Sequence, residues 1–522
     1  MKIEILLKFR ILEIIFCLNF ILLSNIYSNN EKKYETAIIS NPGSIDPKDI
    51  RNLYATLIGS QIFEGLVKVD ENLNIVPAIA KSWEISGNGK VTTFVLRKGV
   101  RFHNGKEVTS DDFVYSLSRI IKKEEDNLYF KSFDNIVGAR EYKLNKAKTV
   151  KGIFSKDRYT LEINLIKPNP SFYKILAAVN CGVIPFAFAE IKSNNIKYFP
   201  VSAGPFKVEK WELNKKILLT RHDQYYDTLP NINKLVFNIT TEKQLLEDFN
   251  SGKIYDTFSL SLYKDINVKY LNSYLIEEKL PLLHFIAINN KIEPFNNIYY
   301  RRALHYGLDK KRLVSEVFGK ENITNSSIPY GIGGYSSEMK TYEYSTIKAK
   351  KMLSKSSLSI DDLSKKIIIW GRNSLPNKDK FKDIIENNYR TIGLNPEVRF
   401  ISTNLFLKKF YAGEMGMFYA MHNINMNDAG FILAWYESKN KLNFTGLNNK
   451  KFDLLMEMAR EESDDYIKFR LYSKADYIIN DEAVQINLFN KVFKMYVNNK
   501  VSNFKLFKIG PIVQYKLIYI EE

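Results

Sequence analysis

The residues that could carry out acid–base or metal chemistry are few and lie far apart in the sequence. The five histidines are His103, His222, His284, His305 and His422. No two of them are four residues apart, the spacing that puts two zinc ligands on one face of a helix. The densest acidic cluster, at residues 461–465, has the composition of a solvated helix N-terminus. We therefore predict no metal site and no cofactor.

Motifs for a nucleophile or a bound phosphate are also missing from the sequence. It contains no G-x-S-x-G nucleophile elbow. Gly252-Lys253 lacks the upstream glycine and the following Ser or Thr of a phosphate-binding loop, and the glycines at residues 331–334 complete no dinucleotide-binding motif. The sequence therefore favours a binding protein over an exported hydrolase or another enzyme.

The composition is that of a folded protein with an excess of positive charge. Of the 522 residues, 45% are apolar and 26% are charged, which excludes disorder for most of the chain. The net charge of +18 makes nucleic acid or an anionic membrane surface a partner to consider. However, the basic residues are spread along the whole chain, and no zinc-finger, basic-zipper or RNP pattern occurs. We predict no nucleic-acid binding.

The N-terminus has the layout of a secretory signal. Lys2, Lys8 and Arg10 precede an apolar run at residues 14–23, and small and polar residues follow it. The run is shorter than the ~20 residues that a membrane-spanning helix needs. We predict that residues 1–28 are a signal or anchor segment. The rest of the chain would lie in the periplasm or be attached to the outer face of the cell membrane.

The two cysteines bear on the form of the mature protein. Cys17 fits three alternatives: a lipid-bearing lipoprotein cysteine, a plain member of the apolar run, or part of an uncleaved anchor. Phe16 precedes it, whereas lipidated cysteines usually follow small residues. Only Cys181 would remain in a processed chain, which excludes an intrachain disulfide there.

The elements that would position a site alternate between helices and strands. Asn88-Gly89 predicts a tight turn between two strands, because this pair tolerates positive φ. Thr109 and Asp112 have the spacing of a capping box and predict a helix that starts near Ser110. Strand-like runs fall between other predicted helices, so we expect a mixed α and β protein. No repeat or linker separates the domains, and we expect them to interleave.

Several segments follow one another in a specific order. Within residues 62–116 they read IFEGL, VPAIAKSWEIS, FVLRKGVRFHNG and VTSDDFVYS, and GPFKV at residues 204–208 and RRAL at residues 301–304 come later. In these segments the chain resembles the oligopeptide- and dipeptide-binding members of the solute-binding proteins, family 5, that serve ABC importers. The resemblance covers nearly the full mature length.

The resemblance implies an α/β fold of two lobes that close on a ligand. This is the type II clamp of periplasmic binding proteins, with an extra domain inserted in the first lobe. Lobe I would comprise residues 31–64, 186–281 and 490–522, the extra domain residues 65–185, and lobe II residues 282–489. Rotation about the crossovers between the lobes would close the cleft, and ligand would stabilise the closed state.

The resemblance also implies where ligand binds. In similar oligopeptide-binding proteins, a segment reading approximately Trp-x-Ala-Asp-Tyr-x-Asp-Pro pairs its backbone with an extended peptide, and its first Asp meets the peptide amino group. Here residues 422–429 match, with His422 at the Trp position and Asn425 at the Asp position. An Asn offers no charge to an ammonium group. The predicted ligand-binding residues are Met421, His422, Asn423, Asn425, Tyr129 and Asn373, the last two near positions that line the cleft in similar proteins.

The leading hypothesis is a monomeric receptor that captures oligopeptides and delivers them to the permease subunits of an ABC importer. Binding mostly through backbone hydrogen bonds suits ligands of varied sequence. One alternative is a protein on the same scaffold that binds a ligand other than a free-amine peptide, and Asn425 is its main support. A sensor or adhesin not coupled to transport and an exported hydrolase are further alternatives.

Overall fold

The computed structural model describes residues 31–122, 132–189, 200–261, 272–423, 427–509 and 513–521. Within them the strands are β1 Lys33–Ile38, β2 Val67–Val69, β3 Ile75–Pro77, β4 Ala80–Ser86, β5 Val91–Leu96, β6 Ile153–Asp157, β7 Thr160–Asn164, β8 Phe206–Glu212, β9 Lys216–Arg221, β10 Lys234–Ile239, β11 Ser273–Ile288, β12 Asn322–Ile323, β13 Lys366–Arg372, β14 Asn395–Ile401, β15 Met417–Asn423, β16 Gln485–Asn498, β17 Val501–Ser502 and β18 Tyr519–Ile520.

The helices in the same ranges are α1 Leu53–Ile62, α2 Ser110–Ile121, α3 Ala139–Lys143, α4 Phe172–Ile175, α5 Glu242–Asn250, α6 Phe258–Ser261, α7 Ile298–Gly307, α8 Lys310–Val317, α9 Thr346–Lys355, α10 Ile360–Ser364, α11 Lys378–Thr391, α12 Thr403–Tyr411, α13 Gly430–Leu433, α14 Lys450–Glu461 and α15 Asp465–Asp481. In the described residues, no helix has both the length and the apolar character needed to cross a membrane. The mixed α and β class is confirmed.

The first lobe is built around a four-stranded sheet of order β1-β10-β9-β8. β1 runs parallel to β10, and the other neighbouring strands are antiparallel. Tyr34, Leu219 and Phe237 from these strands share one apolar core with Tyr515. This lobe therefore joins parts of the chain from its beginning, its middle and its end.

Between α1 and β8 the chain forms an inserted domain whose antiparallel sheet has the order β4-β5-β7-β6. Phe94 on β5 is fully buried in the core of this domain. Asn88 and Gly89 make the turn from β4 to β5 with φ of 54° and 80°, and Thr109 and Asp112 form a capping box at the start of α2. Both local sequence predictions are confirmed.

The second lobe contains a six-stranded sheet of order β12-β16-β11-β15-β13-β14. β13 is parallel to both of its neighbours, whereas β11 is antiparallel to β15 and β16. Helices α7, α8 and α11 cover one face, where Leu304 and Ile385 are buried. The opposite face packs Phe285, Phe406 and Phe418 in a second, aromatic cluster. Alternate residues of each strand supply the two faces.

Two long strands, β11 and β16, run as a pair from the first lobe into the second. Leu280 on β11 packs in the core of the first lobe, and Ile286 on the same strand packs in the core of the second. Between these positions the pairing shifts register, from Lys279 to Leu283. The irregular step therefore lies between the two cores. The domain boundaries stated above stay a prediction.

The inserted domain also contacts the second lobe. Lys174 Nζ lies 2.9 Å from Asp465 Oδ1, and Lys468 Nζ donates a hydrogen bond to Ser171 Oγ. Leu73, between β2 and β3, packs in the same apolar cluster as residues of α13, α14 and α15. These contacts tie the inserted domain to the lobe that carries the predicted ligand-binding segment.

Candidate ligand-binding site

The carboxyl ends of three parallel strands meet at one edge of the sheet in the second lobe. β13, β14 and β15 end at Arg372, Ile401 and Asn423, and we call this the carboxyl edge. In open α/β sheets, ligands bind outside the carboxyl ends of the strands. Asn423 pairs with Leu282 of β11, next to the register shift. The carboxyl edge therefore lies where the chain crosses between the lobes.

Three of the predicted ligand-binding residues lie on the strands of the carboxyl edge or directly after them. Asn373 directly follows β13 and is exposed, and its backbone N–H donates to Ile401 O at 2.9 Å. Met421 on β15 is 43% exposed. The pairing of β13 with β15 extends to Trp370 and Phe418, three residues before Asn373 and Met421 respectively. The third residue, Asn423, ends β15.

His422 packs inside the aromatic cluster of the second lobe. Its ring stacks on Phe285 with centroids 4.5 Å apart, and the rings of Phe444 and Trp435 lie 5.9 and 6.2 Å away. Its Nε2 atom is buried and has no hydrogen-bond partner in the described residues. Burial lowers the pKa of His422 to about 3, so the ring is neutral at physiological pH. His422 is therefore an aromatic packing residue.

His284 is a residue of this edge that sequence reasoning did not single out. Its Nδ1 atom is 2.5 Å from the hydroxyl of Tyr419, and its ring stacks on Phe489 at 4.3 Å. Burial, and to a smaller extent Lys491, lowers the pKa of His284 to about 3. The histidine spacing along the chain carried no signal for this contact, because β11, β15 and β16 come together only in the fold.

A large cleft separates the inserted domain from the second lobe. It has a volume of about 2090 Å³, including space open to solvent, and Ser132, Asn135, Asp428 and Lys468 are among its lining residues. Two predicted ligand-binding residues, Tyr129 and Asn425, lie outside the described residues. Tyr129 precedes Ser132 by three residues in the sequence, and Asn425 precedes Asp428 by three. Ser132 and Asp428 both line this cleft.

Asp428 and Lys468 give this cleft one buried charge of each sign. Asp428 Oδ1 accepts hydrogen bonds from the hydroxyl of Tyr472 and the backbone N–H of Gly430, both at 2.8 Å. Burial lowers the pKa of Lys468, and Asp428 opposes that shift. The Asp428 carboxylate is therefore hydrogen-bonded to residues of the second lobe, and the cation near it is Lys468.

Arg372, at the end of β13, was also missed by sequence reasoning. Its guanidinium carbon lies 4.6 Å from the centroid of the Phe406 ring, and its Nε atom is buried without a hydrogen-bond partner in the described residues. Burial lowers its pKa. The only sequence signal was its place directly before Asn373.

The described residues contain no group of three or more His, Cys, Asp or Glu side chains that could hold a metal ion. The polar groups described above are the Asp428 carboxylate, which accepts two hydrogen bonds, and buried nitrogens of His284, His422 and Arg372 that have no partner among the described residues.

Comparison with known proteins identifies the family. The family model described as bacterial extracellular solute-binding proteins, family 5 middle, matches residues 74–444, well over half of the chain. The periplasmic oligopeptide-binding protein OppA of Salmonella typhimurium is 25% identical over 483 residues, which are 88% of this chain and 86% of that protein. The heme-binding protein A of Haemophilus influenzae is 27% identical over 468 residues, covering 83% of this chain and 82% of that protein.

A solved structure agrees with the architecture. The ABC transporter-associated periplasmic binding protein DppA from Helicobacter pylori, in complex with the peptide STSA, superposes with a TM-score of 0.78 at 21% identity, covering 95% of this chain and 100% of that one. The predicted two-lobed α/β clamp is thereby confirmed. Proteins of this kind are transport receptors rather than enzymes. The chain belongs to the bacterial extracellular solute-binding proteins, family 5.

Proposed function

We propose that this protein is an extracytoplasmic receptor that captures oligopeptides and delivers them to an ABC importer by hinge closure. The observation that carries the proposal is the similarity to a periplasmic oligopeptide-binding protein over 88% of the chain. Family membership supports solute binding, and the names of the relatives support peptides as the class of solute. The proposed membrane partners are the permease subunits of the importer, and the receptor acts as a monomer.

Hinge closure uses the paired strands β11 and β16. Their register shift between Lys279 and Leu283 interrupts the regular ladder between the two lobes, and a short irregular step is a place where rotation can be absorbed. Ligand held between the carboxyl edge and the first lobe favours the closed state, because only that state contacts it from both sides. In support of this proposal, the predicted boundary at 281/282 lies within the step, and the one at 489/490 lies directly beside it.

The peptide is bound largely through its backbone. We expect Asn423, at the end of β15, and Asn425, two residues later, to offer backbone groups and neutral amides to an extended peptide. His422 contributes no charge, because its pKa is about 3. Met421, Asn373 and Tyr129 complete the proposed contact set and select loosely among side chains.

A second candidate ligand class is a planar apolar molecule. One relative is named a heme-binding protein and is 27% identical over 468 residues. Trp435 and Phe444 are partly buried aromatic residues packed against His422 of β15, and aromatic rings stack on flat ligands. This candidate keeps the receptor role and changes only the solute.

The proposed location is the periplasm or the outer face of the cell membrane. The N-terminal layout of Lys2, Lys8, Arg10 and an apolar run supports export, as does the description of the family as extracellular. Protease treatment of cells after removal of the outer barrier should digest the protein. Full protection together with cytoplasmic proteins would contradict the proposed location.

The central experiment identifies what the protein binds. The purified chain is denatured, and mass spectrometry identifies any released small molecule; in parallel, thermal melts are recorded with mixed short peptides, with hemin and with buffer alone. Peptide at ~100 times its dissociation constant should stabilise the protein by ~2.7 kcal/mol and should be recovered intact. A melt that moves with hemin and with no peptide would replace the peptide proposal by the second candidate.

A further inference from the structure

Helix α9 exposes a face that carries only positive charge. Its buried side packs Ala349 and Leu353 into the core of the second lobe. With about 3.6 residues per turn, its exposed lysines lie within one half of the helix circumference. Within this helix of 10 residues, the exposed lysines are Lys348, Lys350, Lys351 and Lys355. α9 contains no Asp or Glu, so the face has no negative charge of its own.

The charge of these four lysines is not cancelled by ion pairs. None of them forms an ion pair with another residue in the part of the chain that the structure describes, whereas Lys365, after α10, lies 2.8 Å from Asp362. The Lys348 Nζ atom lies 5.7 Å from the centroid of the Tyr306 ring. Such a contact positions an ammonium group without removing its charge.

A second exposed helix of the same lobe, α11, has a different distribution of charge. Asp379 and Asp383 lie among its lysines, and Arg390 Nη2 lies 2.7 Å from the Glu386 carboxylate. Mixed signs keep a surface soluble without a strong field. Solubility alone therefore does not require a face like that of α9, where the charge has a single sign.

Two isoleucines in this segment are the most exposed large hydrophobic side chains of the described residues. Ile347, in the first turn of α9, is 80% exposed, and Ile360, at the start of α10, is 84% exposed. Ile347 precedes Lys351 by four residues and so lies on the lysine side of the helix. Water solvates lysines well but not isoleucine. A lipid surface suits both, because apolar side chains enter the headgroup region while lysines stay at the phosphates.

An anionic membrane fits this combination better than other polyanions do. Each lysine near an anionic lipid surface strengthens binding about fivefold, so clustered lysines act together. Nucleic acid has no apolar layer for Ile347 to enter, and the predicted export of the chain separates it from nucleic acid. The predicted location beside the cell membrane, in contrast, brings such a surface within reach.

We propose that the α9 face, defined as Ile347, Lys348, Lys350, Lys351 and Lys355, docks this protein onto a membrane surface that contains anionic lipids. The contact is reversible and mainly electrostatic, and Ile347 enters the headgroup region. The inference goes beyond the proposed function, because it does not depend on which solute is bound. α9 packs on the face of the sheet opposite the aromatic cluster, so docking leaves the aromatic face uncovered.

The experiment measures sedimentation of the purified full chain with two kinds of vesicle. One is phosphatidylcholine alone, and the other is phosphatidylcholine with an equal part of phosphatidylglycerol. The test variant combines Lys350→Glu with Lys351→Glu. Its matched control combines Lys378→Glu with Lys380→Glu on α11, two exposed positions that change the net charge by the same amount. Ile347→Ser tests the apolar contact, and thermal melts verify that each variant is folded.

The unmodified protein should prefer the anionic vesicles at low salt, and the preference should disappear at ~0.5 M salt. The α9 double variant should bind the anionic vesicles about 10- to 100-fold more weakly. The α11 control should lose no more than about twofold, because its charges lie outside the contact. Ile347→Ser should lose about 3- to 10-fold. The N-terminal segment is the same in all these proteins and does not affect the comparison.

Three results would overturn the inference. Equal binding of the unmodified protein to both kinds of vesicle would exclude anionic lipid as the partner. Equal losses in the α9 and α11 variants would mean that binding follows net charge and not this face. Unchanged binding of Ile347→Ser would mean that the contact does not reach the lipid. Should the double variant fail to fold, Lys351→Gln with Lys380→Gln as its control decides. Peptide-induced shifts of the melts are measured separately, so failure here leaves the proposed function standing.

Discussion

Two groups of buried or half-buried polar side chains in this protein differ in how they are paired. The first, which we call the junction cluster, lies where the first lobe meets the inserted domain and consists of Glu64, Lys68, Tyr225, Asp227 and Lys516. Asp227 Oδ2 lies 2.9 Å from Lys68 Nζ and 3.2 Å from Lys516 Nζ, and Tyr225 donates to Glu64 at 2.6 Å. Each member has a partner inside the protein.

The carboxyl edge leaves its polar groups unmatched. Arg372 Nε, His284 Nε2 and His422 Nε2 are buried without a hydrogen-bond partner among the described residues. Burial lowers the pKa of all three groups. The contrast is that the junction cluster is paired within the protein, whereas these three buried nitrogens of the carboxyl edge have no partner among the described residues. The following predictions test this contrast.

The largest expected effect is on stability at the junction cluster. Asp227→Ala removes the carboxylate that Lys68 and Lys516 share. The two ammonium groups then lie close together without a counter-charge. We expect a loss of roughly 2–3 kcal/mol in the free energy of unfolding, below the value for a fully buried pair because Asp227 is partly exposed. Urea denaturation measures this change.

A matched control for the junction cluster is Asp223→Ala. Asp223 is paired with Arg221 at 2.8 Å but its side chain is 74% exposed, so its loss should change stability by no more than about 0.5 kcal/mol. Peptide binding should persist in both variants. Equal stability of Asp227→Ala and the control would show that pairing at the junction contributes nothing, and the contrast would fail.

The next prediction concerns pH and His422. Its pKa is about 3 in the folded protein and ~6.5 in an unfolded chain. Below pH 6.5 the unfolded chain therefore binds a proton that the folded protein does not, so the free energy of unfolding falls as the pH decreases. Between pH 7 and 5 this amounts to roughly 2 kcal/mol, and His422→Phe should abolish that part of the loss.

The junction cluster should not contribute to this pH dependence. Lys68 and Lys516 keep the pKa of Asp227 well below its usual range, so its stabilisation is complete above ~3.8 and is lost only at more acidic pH. Urea denaturation at pH 7 and 5 compares the unmodified protein with His422→Phe. If both lose the same stability, the His422 ring takes up its proton in the folded state as readily as in the unfolded one.

Contacts between neighbouring residues could be predicted from the sequence, whereas contacts between distant strands could not, and the reason is physical. The capping box of Thr109 and Asp112 and the Asn88-Gly89 turn were predicted correctly, because the interacting residues are neighbours in the chain. The ligand-binding segment was predicted from a resemblance to relatives and stays a prediction. The packing of His422 on Phe285 was not predicted, because it depends on the pairing of β15 with β11.

The same limit explains why Arg372 was missed. An arginine stands out only if no carboxylate pairs with its guanidinium. Whether one does depends on all the helices and strands packed around the arginine. Arg399 lies on the adjacent strand and is fully paired with Glu397, yet the two arginines look alike in the sequence. The two-lobed architecture could be inferred from the family resemblance that the ordered motifs carry, whereas the charge balance at the carboxyl edge depends on which residues meet in the fold.

A smaller effect, on peptide preference, is expected when a negative charge is added at Asn425, two residues after the end of β15. Asn425→Asp introduces a carboxylate at the position where the resemblance to oligopeptide-binding proteins implies one. We expect it to raise the preference for free-amine over N-acetylated peptides by about tenfold, equivalent to ~1.4 kcal/mol. Calorimetry with a matched peptide pair measures the preference. If the unmodified protein already rejects the acetylated peptide as strongly, another carboxylate such as Asp428 holds the amine.

The smallest expected effect is that of Arg372→Gln on stability without ligand. The substitution removes no ion pair and takes an unpaired cation out of a partly desolvated position, while it loses the contact with Phe406. These terms oppose each other, so we expect the free energy of unfolding to change by no more than about 0.5 kcal/mol. Arg301 is the matched control, because its guanidinium donates to Phe295 O at 2.8 Å and Glu482 O at 2.9 Å. Arg301→Gln should cost about 2 kcal/mol in the same urea denaturation. An equal loss in Arg372→Gln would mean that Arg372 is also paired within the protein.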